Sequence, residues 1–396
     1  MKKALKKCII FLNICFLIFI TSGCWNNHDI TDVSIAVAAG LDKTEDDTIE
    51  LTLQLVKPAV VRARKYGGFE ESAVSVFSST GDMVFQAVRN ILSSVNKKVY
   101  FGHLQLIVIG EELAREGISD ILDFFERDHE INPKAYVIIA KGTTARKVLH
   151  ANSKLETIPA IHITSLLEND IALPKINKKM LFDLLRETSH KGHDITIGVI
   201  EIEEKDGADK ELLVGDMKVT GTAVFKKDKL VGWLDPAETR GYLLVADKVK
   251  SGIINIPDPL TEEGRKIAIE IIRSRGKRDV LIQDGHIILS IEIEAIGNIG
   301  EQQSVKDIIT IEKGKMLAEQ LNDAIKKNVK EVIEISQKKF KSDIYGFGQI
   351  VHIKYPDYWK QIKDNWDYEF SNATVDIQVT STIKRPGLIT QPTRPQ

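Results

Sequence analysis

Residues 99–140 read VYFGHLQLIVIGEELAREGISDILDFFERDHEINPKAYVIIA, and this stretch decides how the rest of the chain is read. It opens with an apolar run from Val99 to Ile109 and closes with a second from Lys134 to Ala140. Short apolar runs bounded by turn residues read as buried strands, while the longer periodic segment between them, Glu111 to Arg127, reads as a helix. A strand–helix–strand unit of this length predicts a parallel crossover, right-handed as such connections are. Glu111 and Glu112 stand where the helix begins. There they complement its positive end rather than form an acid–base pair.

Working outward, Val33–Gly40 and Thr48–Lys57 read as strands around a turn at 42–47. The second alternates cleanly, with Ile49, Leu51, Leu53 and Leu55 on one face. Ala73–Ser78 is a short strand, and Thr80 has the chemistry of an N-cap for a helix to about Val95. After residue 140 come a helix over Thr143–His150, short helices near Ala160–Asn169 and Lys178–Glu187, and a strand over Ile195–Glu203. The segment Glu204–Lys210 is charged, carries glycine and has no large apolar residue, so a domain boundary is placed there.

Beyond it, Met217–Lys226 and Leu230–Leu234 form a hairpin about Lys227-Asp228. Asp235-Pro236 reads as N-cap plus first-turn proline of a helix to about Val249. Strands are expected at Ile253–Ile256, Arg265–Arg273 and Val280–Ile296, the last bent at Asp284-Gly285. Ser304–Phe340 is the longest helix. Its stripe of Ile308, Ile311, Leu317, Leu321, Ile325, Val329, Val332, Ile335 and Phe340 is broader than a heptad seam, which suits a core helix lying across a sheet. Thr374–Lys384 alternates as a closing strand, and Arg385–Gln396 is a proline-containing tail. The expected fold class is α+β, multi-domain and mixed α/β. Its N-terminal domain (24–204) holds the βαβ unit, and its C-terminal domain (211–390) holds an antiparallel sheet packed by one long helix.

Residues 1–23 read as a signal peptide. Lys2, Lys3, Lys6 and Lys7 form a basic head, Cys8–Ile20 an apolar run interrupted only by Asn13, and Thr21-Ser22-Gly23 a small-residue exit. The run is shorter than the roughly 20 apolar residues of a membrane-spanning helix. Cys24 follows directly, and the arrangement resembles the bacterial lipoprotein box. In that reading cleavage follows Gly23, and Cys24 becomes an N-terminus carrying a diacylglyceryl group, whose two chains anchor a protein stably. Of the three cysteines, Cys8 and Cys15 leave with the signal. No internal disulfide, cysteine nucleophile or cysteine metal site then remains. Loss of the four head lysines takes the formal charge from −2 to −6, which argues against nucleic acid as a partner. After Cys24 no apolar stretch approaches bilayer length, and the remaining body of about 370 residues exceeds one core.

No catalytic constellation is legible. His190 and His193 lie in a Lys-Gly loop without the carboxylates or spacing of a metal site. His103 and His129 are single. Gly346-Phe347-Gly348 lacks the third glycine and preceding strand of a dinucleotide fingerprint, and no nucleophile elbow or Walker lysine is present. The expectation is a binding or assembly protein, not an enzyme, with no catalytic residue, metal or cofactor beyond the lipid. Tyr355, Tyr358, Trp359 and Trp366 form an aromatic group that suits either an interface or packing between the long helix and the last strand. Loss of both fold and partner binding in Trp359→Ala would favour packing.

Several motifs together carry a resemblance. They are Cys24-Trp25, Gly40-Leu41-Asp42, Tyr100-Phe101-Gly102-His103, and Ile107-Val108-Ile109-Gly110-Glu111-Glu112. In the second half come Gly221-Thr222-Ala223-Val224-Phe225, Gly232-Trp233-Leu234, Glu238-Thr239-Arg240-Gly241, Tyr355-Pro356, Trp359, Trp366 and Arg385-Pro386-Gly387-Leu388. In this order and spacing the chain resembles the Ger(x)C family, the lipoprotein C subunits of nutrient germinant receptors in spore-forming bacteria. The resemblance runs nearly the full length. It implies a non-enzymatic, lipid-anchored subunit on the outer face of the spore inner membrane. Its implied partners are two polytopic membrane subunits, A and B, in a complex that senses small nutrients and triggers germination. Cys24 is the functional residue carried over. The rival expectations are a lipid-anchored solute-binding protein of a transporter, which needs two doubly wound lobes, and a cell-wall hydrolase, which needs a carboxylate or histidine constellation.

Overall fold

A computed structural model describes residues 33–58, 60, 72–151, 156–204, 215–259, 264–303 and 311–384, with residues 5–7, 9, 11 and 13. The first sheet contains β1 (Val33–Lys43), β2 (Ile49–Val56), β3 (Val74–Gly81), β4 (Lys98–Tyr100), β5 (Leu106–Gly110), β6 (Tyr136–Ala140), β7 (Thr196–Glu204), β8 (Gly215–Lys226) and β9 (Lys229–Leu234). Their order is β3-β2-β1-β5-β6-β7-β8-β9, with β4 also on β1. The central strands β1, β5, β6 and β7 run parallel. Every residue of β5 is buried, the continuous apolar run that a strand covered on both faces requires. Antiparallel hairpins extend the sheet on either side.

Helices cover both faces. α1 (Val84–Ile91), α2 (Glu111–Glu116) and α3 (Ser119–Arg127) pack one face, while α4 (Ala145–His150) and α5 (Pro159–Glu168) pack the other. The expected crossover is present: β5 pairs in parallel with β6 from Leu106↔Tyr136 to Gly110↔Ala140. Its detail differs from the sequence reading. The run 99–109 is two strands, because Phe101–Gln105 turns out of the ladder where Leu104 N–H donates to the Phe101 carbonyl. β4 and β5 both lie along β1. The helix 111–127 breaks at Gly117, whose φ of +140° suits glycine. The amide of Ile118 there bonds the Asp228 carbonyl instead of continuing the helix. Thr80 is no N-cap: pairing of β3 with β2 carries the strand on to Gly81, and the helix starts after Met83.

The division expected at 204–210 falls within this sheet. β7 and β8 flank it and pair from Thr196↔Val224 to Glu204↔Gly215, so hairpin β8–β9 belongs to the first sheet. α6 (Leu181–Thr188) precedes β7. After β9, α7 (Pro236–Val245) opens as expected. Asp235 Oδ1 accepts from the amides of Ala237 (2.7 Å) and Glu238 (2.8 Å), and Glu238 Oε2 accepts from Asp235 N (2.7 Å), a reciprocal cap.

The second sheet runs β10 (Gly252–Pro257), β11 (Lys266–Gln283), β12 (His286–Gln302) and β13 (Thr374–Ile383). The segments 266–273 and 280–283 form one strand, bulged near Ala268 and Arg273, because Arg275–Asp279 keeps pairing with β12 while Arg275 and Lys277 face outward and Arg278 and Asp279 find partners in Tyr345 and Lys354. Asp284 and Gly285, at φ +50° and +78°, make the two-residue turn into β12. β10 to β12 are antiparallel and β13 joins parallel to β12. The long helix is described from α8 (Ile311–Glu334), and its expected first residues, 304–310, lie outside the described residues. Leu317, Leu321, Ile325, Val329 and Val332 are buried, so it is a core helix on the sheet. Its last turn, Ile335–Phe340, widens to a π-helix and stops at Lys341, whose φ is +50°. α9 (Phe347–Lys354), α10 (Pro356–Ile362) and α11 (Trp366–Asn372) follow.

Candidate functional site

The two sheets meet where the 189–195 loop after α6 receives the 341–348 loop after α8. Asp343 is the hub. Its Oδ1 accepts from the amides of Tyr345 (3.2 Å) and Gly346 (3.0 Å), and its Oδ2 from the Gly348 amide (2.8 Å) and Trp366 Nε1 (3.1 Å). Its backbone locks onto the first sheet. Asp343 N donates to Asp194 Oδ2 (3.0 Å), Asp194 N donates to the Asp343 carbonyl (2.9 Å), and Asp194 Oδ1 accepts from Lys227 N (2.7 Å). Burial pushes the Asp343 carboxyl up to about 7 despite its donors. Gly192 (φ +66°) and Gly348 let the loops approach: a Cβ on Gly192 would stand 2.6 Å from Trp359 and 2.8 Å from Gly348.

A buried ion pair lies beside the hub. Lys179, 1% exposed, donates to Glu187 Oε1. Burial works against both charges. Tyr242 and Glu187 nevertheless hold Lys179 above the ordinary lysine value, and Lys179 holds Glu187 below the usual carboxylate range. Tyr242 shares a 2.9 Å hydroxyl bond with Thr196. A cleft of about 740 Å³ opens over this layer, lined by Lys178, Arg186, Lys248 and Arg278 among others. Glu187 Oε2 and His193 Nδ1 are buried at its floor without hydrogen-bond partners.

Burial lowers the pKa of His193 to about 4. The unfolded chain therefore binds a proton between about pH 4 and 6.5 that the native state does not, and stability falls as pH drops through that window. Between pH 6.5 and pH 5, the stability of wild type relative to His193→Gln is expected to fall by about 2 kcal/mol. Denaturant titrations of both proteins at the two pH values measure the difference, and parallel pH profiles would contradict it.

Cys24 and Gly23 lie outside the described residues. His190 and His193 stack, with centroids 6.3 Å apart, but no group of three potential ligands surrounds them among the described residues. His103 packs edge-on to Tyr100. Glu111 and Glu112 lie in the first turn of α2, and Glu111 accepts from Gly142 N and Arg115. Gly346-Phe347-Gly348 wraps a carboxylate rather than a nucleotide. Trp359 and Trp366 are buried, with centroids 5.6 Å apart, and Tyr358 donates to the Gly285 carbonyl (3.3 Å). Packing is their role, and what they pack is chiefly the junction. Sequence reading missed Asp343, Asp194 and the Lys179–Glu187 pair. The available signal was Ser342-Asp343 ahead of two glycines, a loop pattern in which the aspartate caps its own backbone.

The site is therefore a buried, hydrogen-bonded joint between two mixed sheets. Comparison with known proteins identifies the family. Residues 26–202 match the family model "Spore germination protein N-terminal domain", and residues 220–387 match "Spore germination B3/ GerAC like, C-terminal". The chain is 27% identical to spore germination protein KC of Bacillus subtilis (strain 168), over 99% of this chain and 98% of that protein. It is 26% identical to spore germination protein B3 of the same organism, over 98% and 100%. The crystal structure of the GerBC protein shares the fold, with a TM-score of 0.54 at 22% identity over 87% of this chain and 96% of that one. The chain belongs to the Ger(x)C family of spore germination proteins.

Proposed function

We propose that this chain is the lipid-anchored, non-catalytic C subunit of a nutrient germinant receptor, held at the outer face of the spore inner membrane beside polytopic subunits A and B. The observation that carries the reading is end-to-end similarity: both family models match in tandem, and the relatives are covered over nearly their whole length. Gly23 is the last residue removed, and a diacylglyceryl group on Cys24 supplies the attachment. No helix among the described residues is long and apolar enough to cross a membrane. Confinement to two dimensions raises the effective concentration near membrane partners, so modest faces suffice for assembly.

A pull-down from spore membranes with the intact protein, and with Cys24→Ala as control, tests this. Wild type should bring down two polytopic subunits, while the variant should appear in the soluble fraction and recover less than a tenth as much. A variant that stays membrane-bound with its partners overturns the anchor, and wild type recovering none overturns the assembly.

The junction cleft favours a second reading, a lipid-anchored solute-binding protein. Bound solute would raise stability by about 2.7 kcal/mol at a hundredfold excess over Kd. Thermal shift of the soluble body against amino acids and sugars should show no such rise if the receptor-subunit reading holds without direct ligand contact. A clear shift moves the recognition step into this chain.

A further inference from the structure

On one face of the first sheet, α1 and α3 leave an apolar groove of about 640 Å³. α1 turns Val84, Ala87 and Ile91 into the core. One position round the helix, Phe85 is left 53% exposed, and Met83 before it is 65% exposed. Phe124 of α3 stands across from Phe85, with ring centroids 6.4 Å apart. Arg89 lies over the Phe85 ring at 4.9 Å, and Ile49 of β2 lines the groove. Clustered exposure of large apolar side chains marks a surface that another molecule covers.

The rim says what kind. Among the described residues, Asp82, Asp120, Asp123 and Asp128 surround the groove, while Arg127 pairs with Asp123 and Arg89 lies over Phe85, so acidic groups outnumber basic ones four to two. A second copy would bring the same four carboxylates against these, a like-charge juxtaposition that opposes a symmetric contact. An anionic lipid surface is repelled for the same reason. Position also disfavours lipid, here on the reading that Cys24 carries the anchor. β1 runs roughly 35 Å at strand rise, and Ile49 pairs with its last residue, Lys43. The Ile49 end of the groove thus lies at the end of β1 opposite Val33. We infer that the groove receives a segment of a different polypeptide, one that inserts one or two large apolar side chains and flanks them with lysine or arginine.

Benzoylphenylalanine placed at Phe85 in the full-length chain, irradiated in native membranes, tests this. The expected adduct maps by mass spectrometry to a segment with net positive charge and a large apolar side chain. Asp82→Lys with Asp120→Lys should lower its yield at least fivefold with an unchanged unfolding midpoint. The same reagent at Ile253, 61% exposed on the other sheet, should not give that adduct. Adducts chiefly to lipid, to a second copy or to a neutral or acidic segment would overturn the inference. So would a yield no higher than at Ile253, or one indifferent to the charge reversal.

Discussion

Asp343→Ala is expected to lower the unfolding free energy by about 3 kcal/mol at pH 8, with the denaturation midpoint moving and the m-value unchanged. The reason lies in the four N–H groups that end on this one carboxylate, from Tyr345, Gly346, Gly348 and Trp366. Alanine leaves them buried and unpaired, and each orphaned donor costs about 1–3 kcal/mol before relaxation. The loss should be larger in acid. Burial pushes the Asp343 carboxyl up to about 7, whereas in the unfolded chain it titrates near about 4. Between those values the native state holds a proton the unfolded state has released, so the group's contribution is full below about pH 4 and falls as pH rises towards 7. At pH 5 the variant's deficit should therefore grow by about 2.6 kcal/mol. A deficit under about 1 kcal/mol throughout would show that the hub is dispensable, and a larger deficit that is flat with pH would show that the carboxyl is not held above its ordinary value. This slope is opposite in sign to that of His193, so the two variants together separate the groups.

Lys179→Met alone should cost about 3–5 kcal/mol, because it strands Glu187 in the interior without its countercharge. Lys179→Met with Glu187→Leu should recover most of that loss, since exchanging a buried ion pair for apolar side chains is often neutral or better. The double-mutant cycle reads the coupling directly. If the double variant is as unstable as the single one, the cost lies in packing against Tyr242 and not in the charge. Glu187 also lines the cleft, so any solute shift seen with wild type should change in the variant that replaces it.

Much of the architecture was legible because it is local. The alternation in Ile49–Leu55 and the apolar run of Leu106–Gly110 depend on residues a few positions apart. The same holds for the Asp235-Pro236 helix start and the stripe along α8. Errors arose where a distant partner overrode local preference. Thr80 has the chemistry of a cap, but pairing of β3 with β2 keeps it extended. Residues 274–279 look too charged for a strand, yet β12 pairs them throughout. The break at Gly117 depends on Asp228, which is remote in sequence.

By itself the sequence determined the α+β order and the run of motifs that placed the chain in its family, since each depends on composition and short spacing. Only the tertiary structure decided that hairpin β8–β9 joins the first sheet, that Asp343 and Asp194 lock the two sheets together, and that Lys179 meets Glu187 in the interior. Those choices are made by burial and hydrogen-bond satisfaction among groups as much as 149 positions apart. Sequence spacing carries no record of such a pairing, because the penalty for leaving these groups unpaired arises only after the chain has closed around them.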